Sequence, residues 1–316
     1  MRFSRYILIL LAMIALCSCS RAGYVTFSGY AQGGTYAVKA NMKDVSASKE
    51  EIGTTIDSLL NAIDFSISGY NHNSLLSKYN NGEEIEPDDI FTEVSGLSDK
   101  YKEMTGGAFD VAAAPLFDIW GFGFTTDSLP DPLAVEAALE ECRAKKKLNF
   151  NAIAQGYTCD VIASYLHSVG VKDMLVDIGE IYCEGLNRYG QGWSIGVDNP
   201  VDGNNTPGAD LRGIWSSEGR ACGIVTSGNY RKFYIKDGRK YSHTIDPRTG
   251  YPVEHDLLSA TVVAPTAAEA DALATACMVM GTEKAREFVL AHDGIEAYLI
   301  SADTTWTSPG FGLRKQ

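Results

Sequence analysis

The sequence predicts an α+β fold. Short β-branched and aromatic runs dominate its second half, a strong hairpin signal sits between two of them, and well-capped helical segments are packed around them. No Walker loop and no G-x-G-x-x-G motif follows any predicted strand, so a classical βαβ nucleotide fold fits poorly.

The N-terminus reads as a leader. Arg2 and Arg5 precede an unbroken apolar run, Tyr6–Leu16. That run is shorter than the ~20 residues a membrane span takes and suits a secretory core. Leu16-Cys17-Ser18-Cys19 is similar to a bacterial lipobox, in which the cysteine is lipidated and becomes the new N-terminus. The expected organisation is a signal peptide over 1–18, a lipid-anchored tether over 19–23 beginning at Cys19, and one folded domain over 24–316. Ser20 follows the cysteine where an Asp would indicate inner-membrane retention.

Tyr24 onward, YVTFSGYAQGGTYAVKAN reads as two strands around a Gln32-Gly33-Gly34 turn. Ser48-Lys49-Glu50-Glu51 is a capping box, and Ile52, Ile56, Leu59, Leu60 and Ile63 mark one helical face behind it. Asp131-Pro132 opens a second helix. A third is expected from about Gly156 to His167, stopped by Gly170. Met174–Ile178, Trp193–Val197, Cys222–Thr226 and Leu257–Val263 are strand-like, and Phe233–Lys236 and Lys240–His243 flank the Asp237-Gly238 turn. Thr266-Ala267-Ala268-Glu269 caps a last helix running to about Met280 and ending at Gly281.

Composition excludes some functions. With 27 basic and 40 acidic residues the formal charge is −13, which argues against a nucleic-acid partner. Removing the leader takes away Arg2 and Arg5, leaving 25 against 40, or −15. Five cysteines follow Cys19, at 142, 159, 183, 222 and 277, with no C-x-x-C spacing. They read as buried small hydrophobes, at least one of them free, and not as a zinc site.

Five stretches carry candidate chemistry. In YSHTIDPRTGY, residues 241–251, His243 stands at a strand end beside a turn rigidified by Pro247 and Gly250. The corner is expected to hold His243, Asp246 and Arg248 within reach of one another, and a neutral histidine there is a candidate general base. Asp271 and Thr275 are four apart, so a carboxylate and a hydroxyl project from one helical face. Both are hard oxygen donors of the type Mg²⁺ takes; on composition alone they read equally as a solvated Asp and a Thr bonded back to its helix. Asn149–Asp160 (NFNAIAQGYTCD) is a junction whose free N–H groups can hold an anion or be an ordinary helix start. TGGAFD at 105–110 and WGFGF at 120–124 either bind a planar ring or turn a corner.

Together these stretches resemble the ApbE family, the FAD:protein FMN transferases. QGGTYAVK (32–39), GYNHNSLLSKYN (69–80), GAFDVAAAPLFDIWGFG (107–123), NFNAIAQGY (149–157), SGNYRKFY with YSHTIDPRTGYP, and EADALATACMVMG (269–281) are similar to the family's blocks and occur in the same order. The resemblance implies a single ApbE-like, T-fold-related α+β domain of antiparallel hairpins and packed helices, with FAD in a central cleft and Mg²⁺ on its diphosphate. It implies metal ligation by Asp271, Thr275 and the Ala152 carbonyl, with His243 as the base. Flavin contacts carry over to Gln32, Tyr70, Ala108, Phe109, Asp110, Asn149, Gln155 and Ile245. The implied reaction moves FMN from FAD to a Ser/Thr hydroxyl of an acceptor protein and releases AMP. The implied acceptor is a subunit of a membrane electron-transport complex facing the periplasm, where the lipid anchor would hold this chain.

Some positions depart from the family. Gln32 stands for Met, Asn149 for Asp, Gln155 for Lys, and Ile178-Gly179-Glu180 carries one glycine where two are common. Losing that lysine removes a positive group near the diphosphate. Two alternatives share the same residues: a Mg²⁺-dependent FAD pyrophosphatase with water as acceptor, and a non-catalytic FAD-binding lipoprotein.

Overall fold

The computed structural model describes residues 23–314 apart from 123–128, 202–203, 205, 207, 230–232 and 237–238. The expected signal peptide and Cys19 lie outside the described residues. Among these residues, no helix is long and apolar enough to cross a membrane.

In chain order the elements are β1 (Tyr24–Ala31), β2 (Gly34–Asn41), α1 (Lys49–Ile67), α2 (Leu75–Asn80), α3 (Asp89–Met104), α4 (Ala114–Ile119), α5 (Pro132–Arg143) and α6 (Ala154–Ser168). After them come β3 (Met174–Asp177), β4 (Ile181–Glu184), β5 (Ser194–Asp198), β6 (Leu211–Ser216), β7 (Cys222–Gly228), β8 (Phe233–Lys236), β9 (Arg239–Ser242) and β10 (Leu257–Ala264). The chain closes with α7 (Ala267–Met280), α8 (Thr282–Ala291), β11 (Glu296–Ser301), β12 (Thr305–Thr307) and β13 (Leu313–Arg314).

The frame is an eight-stranded sheet in the order β1-β2-β3-β4-β7-β10-β11-β12, antiparallel throughout. Alternation along each strand decides what lies on either face. Met174 and Val176 turn toward α1 and α6, while Leu175 between them turns the other way. That second face, with Cys183, Ile224, Val263 and Ile300, packs against a smaller sheet, β13-β6-β5, through Trp215 and Ile195. The α+β reading therefore holds as helices on one face of an antiparallel sheet and a small sheet on the other.

Local chemistry fixes the helix starts. Ser48 and Glu51 cap α1 reciprocally, and Asp131 accepts from Ala134 N–H at the start of α5 with Pro132 in the first turn. Thr266 caps α7 by accepting from Glu269 N–H. This last helix is buried nearly all round, from Ala267 through Val279, as suits a helix sandwiched in a core. One side meets the sheet through Leu273, Ala274 and Cys277, and the other meets α3 and the 108–112 loop through Ala268, Ala272 and Ala276. Its alanines permit close approach: a Cβ on Gly223 of β7 would lie 2.3 Å from the Cα of Ala267.

All five cysteines after Cys19 are buried thiols, in keeping with the sequence reading.

Candidate active site

The N-termini of α6 and α7 build the centre of the site. The N–H of Gly156 lies in the first turn of α6, where a backbone donor has no acceptor within its own helix. It donates to the carboxylate of Asp271 on α7, at 3.1 Å. Ala152, just before the N-cap Ile153, lies outside the helix. The anion expected at this helix start is thus one of the protein's own carboxylates.

Asp271 is 4% exposed. Burial pushes its pKa up to about 7; the Gly156 N–H opposes that and the nearby Asp160 carboxylate adds to it. Thr275, one turn along, brings its Oγ1 to 3.4 Å from Ser227 Oγ at the end of β7. Asp271, Thr275 and Ala152 all line one cleft of about 410 Å³. A buried carboxylate short of compensation, a backbone carbonyl and a hydroxyl form a hard-oxygen set that fits a divalent cation. Among the described residues no three or more His, Cys, Asp or Glu side chains are grouped so that they could hold a metal ion. A cation here would therefore depend on one carboxylate and neutral oxygens.

The 105–110 loop forms a wall of the cleft. Gly106 and Gly107 have φ of 58° and 80°, a left-handed turn that glycine takes without strain. Thr105 Oγ1 accepts from Phe109 N–H at 3.1 Å, fixing the return. Ala108, Phe109 and Asp110 then line the cleft. The Asp110 carboxylate accepts from Ala112 N–H at 2.9 Å and pairs with Lys102 Nζ at 2.7 Å. Opposite, Asn149 is tied to this loop by its N–H, which donates to the Val111 carbonyl at 2.8 Å. Tyr70, 67% exposed, stands at the mouth.

His243 and Ile245 line the same cleft from the turn after β9. His243 is half-buried, edge-on to Phe122, with ring centroids 6.3 Å apart. Of the expected grouping of His243, Asp246 and Arg248, the last two pair with each other while His243 lines the cleft. Arg248 donates from Nε and Nη2 to the two oxygens of Asp246, each at 2.8 Å, and neither residue lines the cleft. Burial disfavours the Asp246 carboxylate, yet the Arg248 hydrogen bonds outweigh it and hold its pKa below the ordinary value. The physical reason is chelation: the two-residue spacing lets the guanidinium close on Asp246 alone. The pair stiffens the corner, which Trp120 also ties by donating from Nε1 to the Gly250 carbonyl at 2.8 Å. Of the 120–124 stretch, Phe122 reaches the cleft and Gly123 and Phe124 lie outside the described residues.

Gln32 and Gln155 fall outside the cleft lining. Gln32, at φ 50°, donates from Nε2 to Thr158 Oγ1 on α6 at 2.6 Å. Gln155 lies against Gly179, its Nε2 2.9 Å from where a Cβ on that glycine would be. Residues that sequence reasoning did not single out also line the cleft: Phe117, Asn151, Glu180, Thr226, Ser227 and Met278. Glu180 was within reach of that reasoning, since it follows the positive-φ Gly179 where a second glycine is common.

The charge of the lining is one-sided. Asp110, Glu180 and Asp271 contribute carboxylates, and no lysine or arginine is among the described lining residues. Against these carboxylates, a bound cation would favour an anionic ligand.

Comparison with known proteins follows this geometry. The ApbE family model matches residues 32–299. A Salmonella typhimurium protein named FAD:protein FMN transferase is 32% identical over 290 residues, covering 83% of this chain and 81% of its own. One of the same name from Vibrio cholerae is 32% identical over 304 residues, 88% of each. Among solved structures, the apo flavinyl transferase ApbE of Pseudomonas stutzeri superposes with a TM-score of 0.79 at 29% identity, covering 90% of this chain and 95% of that one. The flavin transferase ApbE of Vibrio cholerae gives 0.77 at 30% identity, with 90% and 97% covered.

Proposed function

This chain belongs to the ApbE family, and from that premise we propose that it is a FAD:protein FMN transferase whose active site is the cleft between α6, α7 and the His243 turn. The observation that carries the reading is a buried carboxylate with a raised pKa, Asp271, lining one cleft with the Thr275 side chain and Ala152.

Asp271, Thr275 and the Ala152 carbonyl would hold Mg²⁺. When bound, the ion neutralises charge on the diphosphate of FAD and on the phosphorus under attack. The remaining work falls to this chain's own residues. Phosphoryl transfer is mostly positioning and charge stabilisation, so the cleft's task is to align an acceptor hydroxyl with the FMN-side phosphorus. The hydroxyl oxygen forms the new P–O bond, the P–O bond of the anhydride breaks, and AMP leaves. His243 accepts the hydroxyl proton at a ring nitrogen. Phe109, Ala108 and Ile245 give the flavin an apolar wall, and Tyr70 closes it at the mouth.

Arg2, Arg5 and the apolar run Tyr6–Leu16 support a secretory leader, which would carry this chemistry outside the cytoplasm. Lipidation at Cys19, suggested by Leu16-Cys17-Ser18-Cys19, would tether the domain to a membrane and restrict acceptors to proteins at that surface, such as electron-transport subunits.

The test is incubation with FAD, Mg²⁺ and a candidate acceptor, read by in-gel flavin fluorescence and by chromatography of the nucleotides. Fluorescent acceptor with stoichiometric AMP is expected. His243→Ala should retain FAD binding and lose transfer by roughly 10²–10⁴-fold. Free FMN with unlabelled acceptor would make the protein a hydrolase, unchanged FAD would make it a binder, and full transfer by His243→Ala would remove the base.

A further inference from the structure

We infer that Cys183 and Cys222 form a cross-strand dithiol that closes to a disulfide, a modification site on the sheet face that packs against the small sheet.

The two residues are direct Cα partners in the antiparallel pairing of β4 with β7. Residues so opposed have Cα atoms about 4.5 or 5.5 Å apart, according to their place in the ladder. Both separations fall in the range that a disulfide spans, so closure asks for no strand movement. Both side chains lie in one buried cluster on the same face of the sheet. By contrast Cys142, Cys159 and Cys277 sit on three different helices, in three separate apolar clusters.

The pair is asymmetric in a way that suits exchange. Cys183 is fully buried, whereas Cys222 is 5% exposed and lies two residues after Arg220 at the surface. Cys222 Sγ is 3.9 Å from the Arg220 carbonyl. The neighbouring Cys183 thiol favours thiolate at Cys222, burial opposes it and the Arg220 guanidinium adds to the lowering, while Cys183 is pushed up by Cys222 and by burial. Cys222 is therefore the attacking sulfur. It attacks one sulfur of an incoming disulfide, supplied by a small molecule or a dithiol–disulfide oxidoreductase, forming a mixed disulfide and expelling the first thiol. Cys183 gives up its proton, attacks the Cys222 sulfur and expels the second. Two thiols of this chain are oxidised, the incoming disulfide is reduced to two thiols, and the two protons end on those thiols.

The experiment exposes the folded full-length chain to oxidised glutathione, quenches with acid, alkylates in denaturant and maps the peptides. A Cys183–Cys222 linked peptide that disappears on reduction is expected, with Cys142, Cys159 and Cys277 alkylated. Cys183→Ser should accumulate a glutathione adduct at Cys222, because the resolving thiol is gone. The proposal is overturned if both cysteines of the wild-type chain remain fully alkylated while oxidant is in excess, or if either is linked to a different cysteine. The wild-type map decides this even should the variant not fold, and its outcome is independent of whether the cleft transfers FMN.

Discussion

Asp271 on α7 accepts the N–H of Gly156 on α6 at 3.1 Å. The arrangement is reciprocal, because Asp160, one turn along α6, accepts the N–H groups of Ala267 and Ala268 at the start of α7, each at 2.8 Å. Each helix supplies the carboxylate that meets the other's positive end. The crossing sets the position of the one charged oxygen donor proposed for the cation.

Gly156→Ala tests the crossing. In an exposed helix this change stabilises by about 1 kcal/mol. Here a Cβ would lie 2.3 Å from the Ala267 carbonyl oxygen and 2.9 Å from the Ala268 Cα, backbone atoms that cannot rotate aside. The sign reverses: a loss of roughly 1–3 kcal/mol is expected, with the transfer rate falling alongside it. Chemical denaturation measures the first and the fluorescence assay the second. A variant as stable and active as wild type would mean that the helices are not held by this contact.

Asp271→Asn separates charge from shape. The amide oxygen can still accept from Gly156, and the fold no longer has to bury a carboxylate that it disfavours. Without divalent cation, thermal stability should equal or exceed wild type. Transfer should drop by roughly 10²-fold or more, reflecting the several kcal/mol that a bound cation supplies. Retention of wild-type turnover would exclude Asp271 as a ligand.

A pH profile reports on Asp160. Burial raises its pKa to about 6, against the Ala268 and Ala267 hydrogen bonds and with help from Glu269 and Glu93. An unfolded Asp titrates near 4, so between about 4 and 6 the folded state binds more protons than the unfolded state. Stability from this group is thus fully present below the unfolded value and is lost as pH rises through the folded one, by about 2–3 kcal/mol at most. Denaturation midpoints in chelator should fall more steeply between pH 4 and 6.5 for wild type than for Asp160→Asn. The variant also removes the Asp160 charge that helps raise the Asp271 pKa, which flattens its profile further, and it weakens the helix cap. Parallel profiles would show that Asp160 titrates normally.

Elements with local signatures were legible in the sequence. Ser48/Glu51, Asp131-Pro132 and Thr266 announce their helices, and the four-residue spacing of Asp271 and Thr275 aims both side chains into the same cleft. The helix Asp89–Met104 escaped notice because its buried face, Phe91, Val94 and Tyr101, is interleaved with Glu93, Asp99, Lys100, Lys102 and Glu103. Strand β4 is four residues long, and its partner β7 begins nearly forty residues later, so nothing local marks the pairing. Thr226 and Ser227 reach the cleft only through that pairing. Motif order brought Gln32 and Gln155 into the candidate set, but their side chains follow local geometry and turn to Thr158 and Gly179.

The same distant pairing has a bearing on biosynthesis. Until residue 228 has been made and seated, β4 is the open border of a half-built sheet formed by β1 to β4, with backbone groups ready to bond any passing strand. Premature termination before Cys222 should therefore yield insoluble, self-associating fragments and not a smaller working protein.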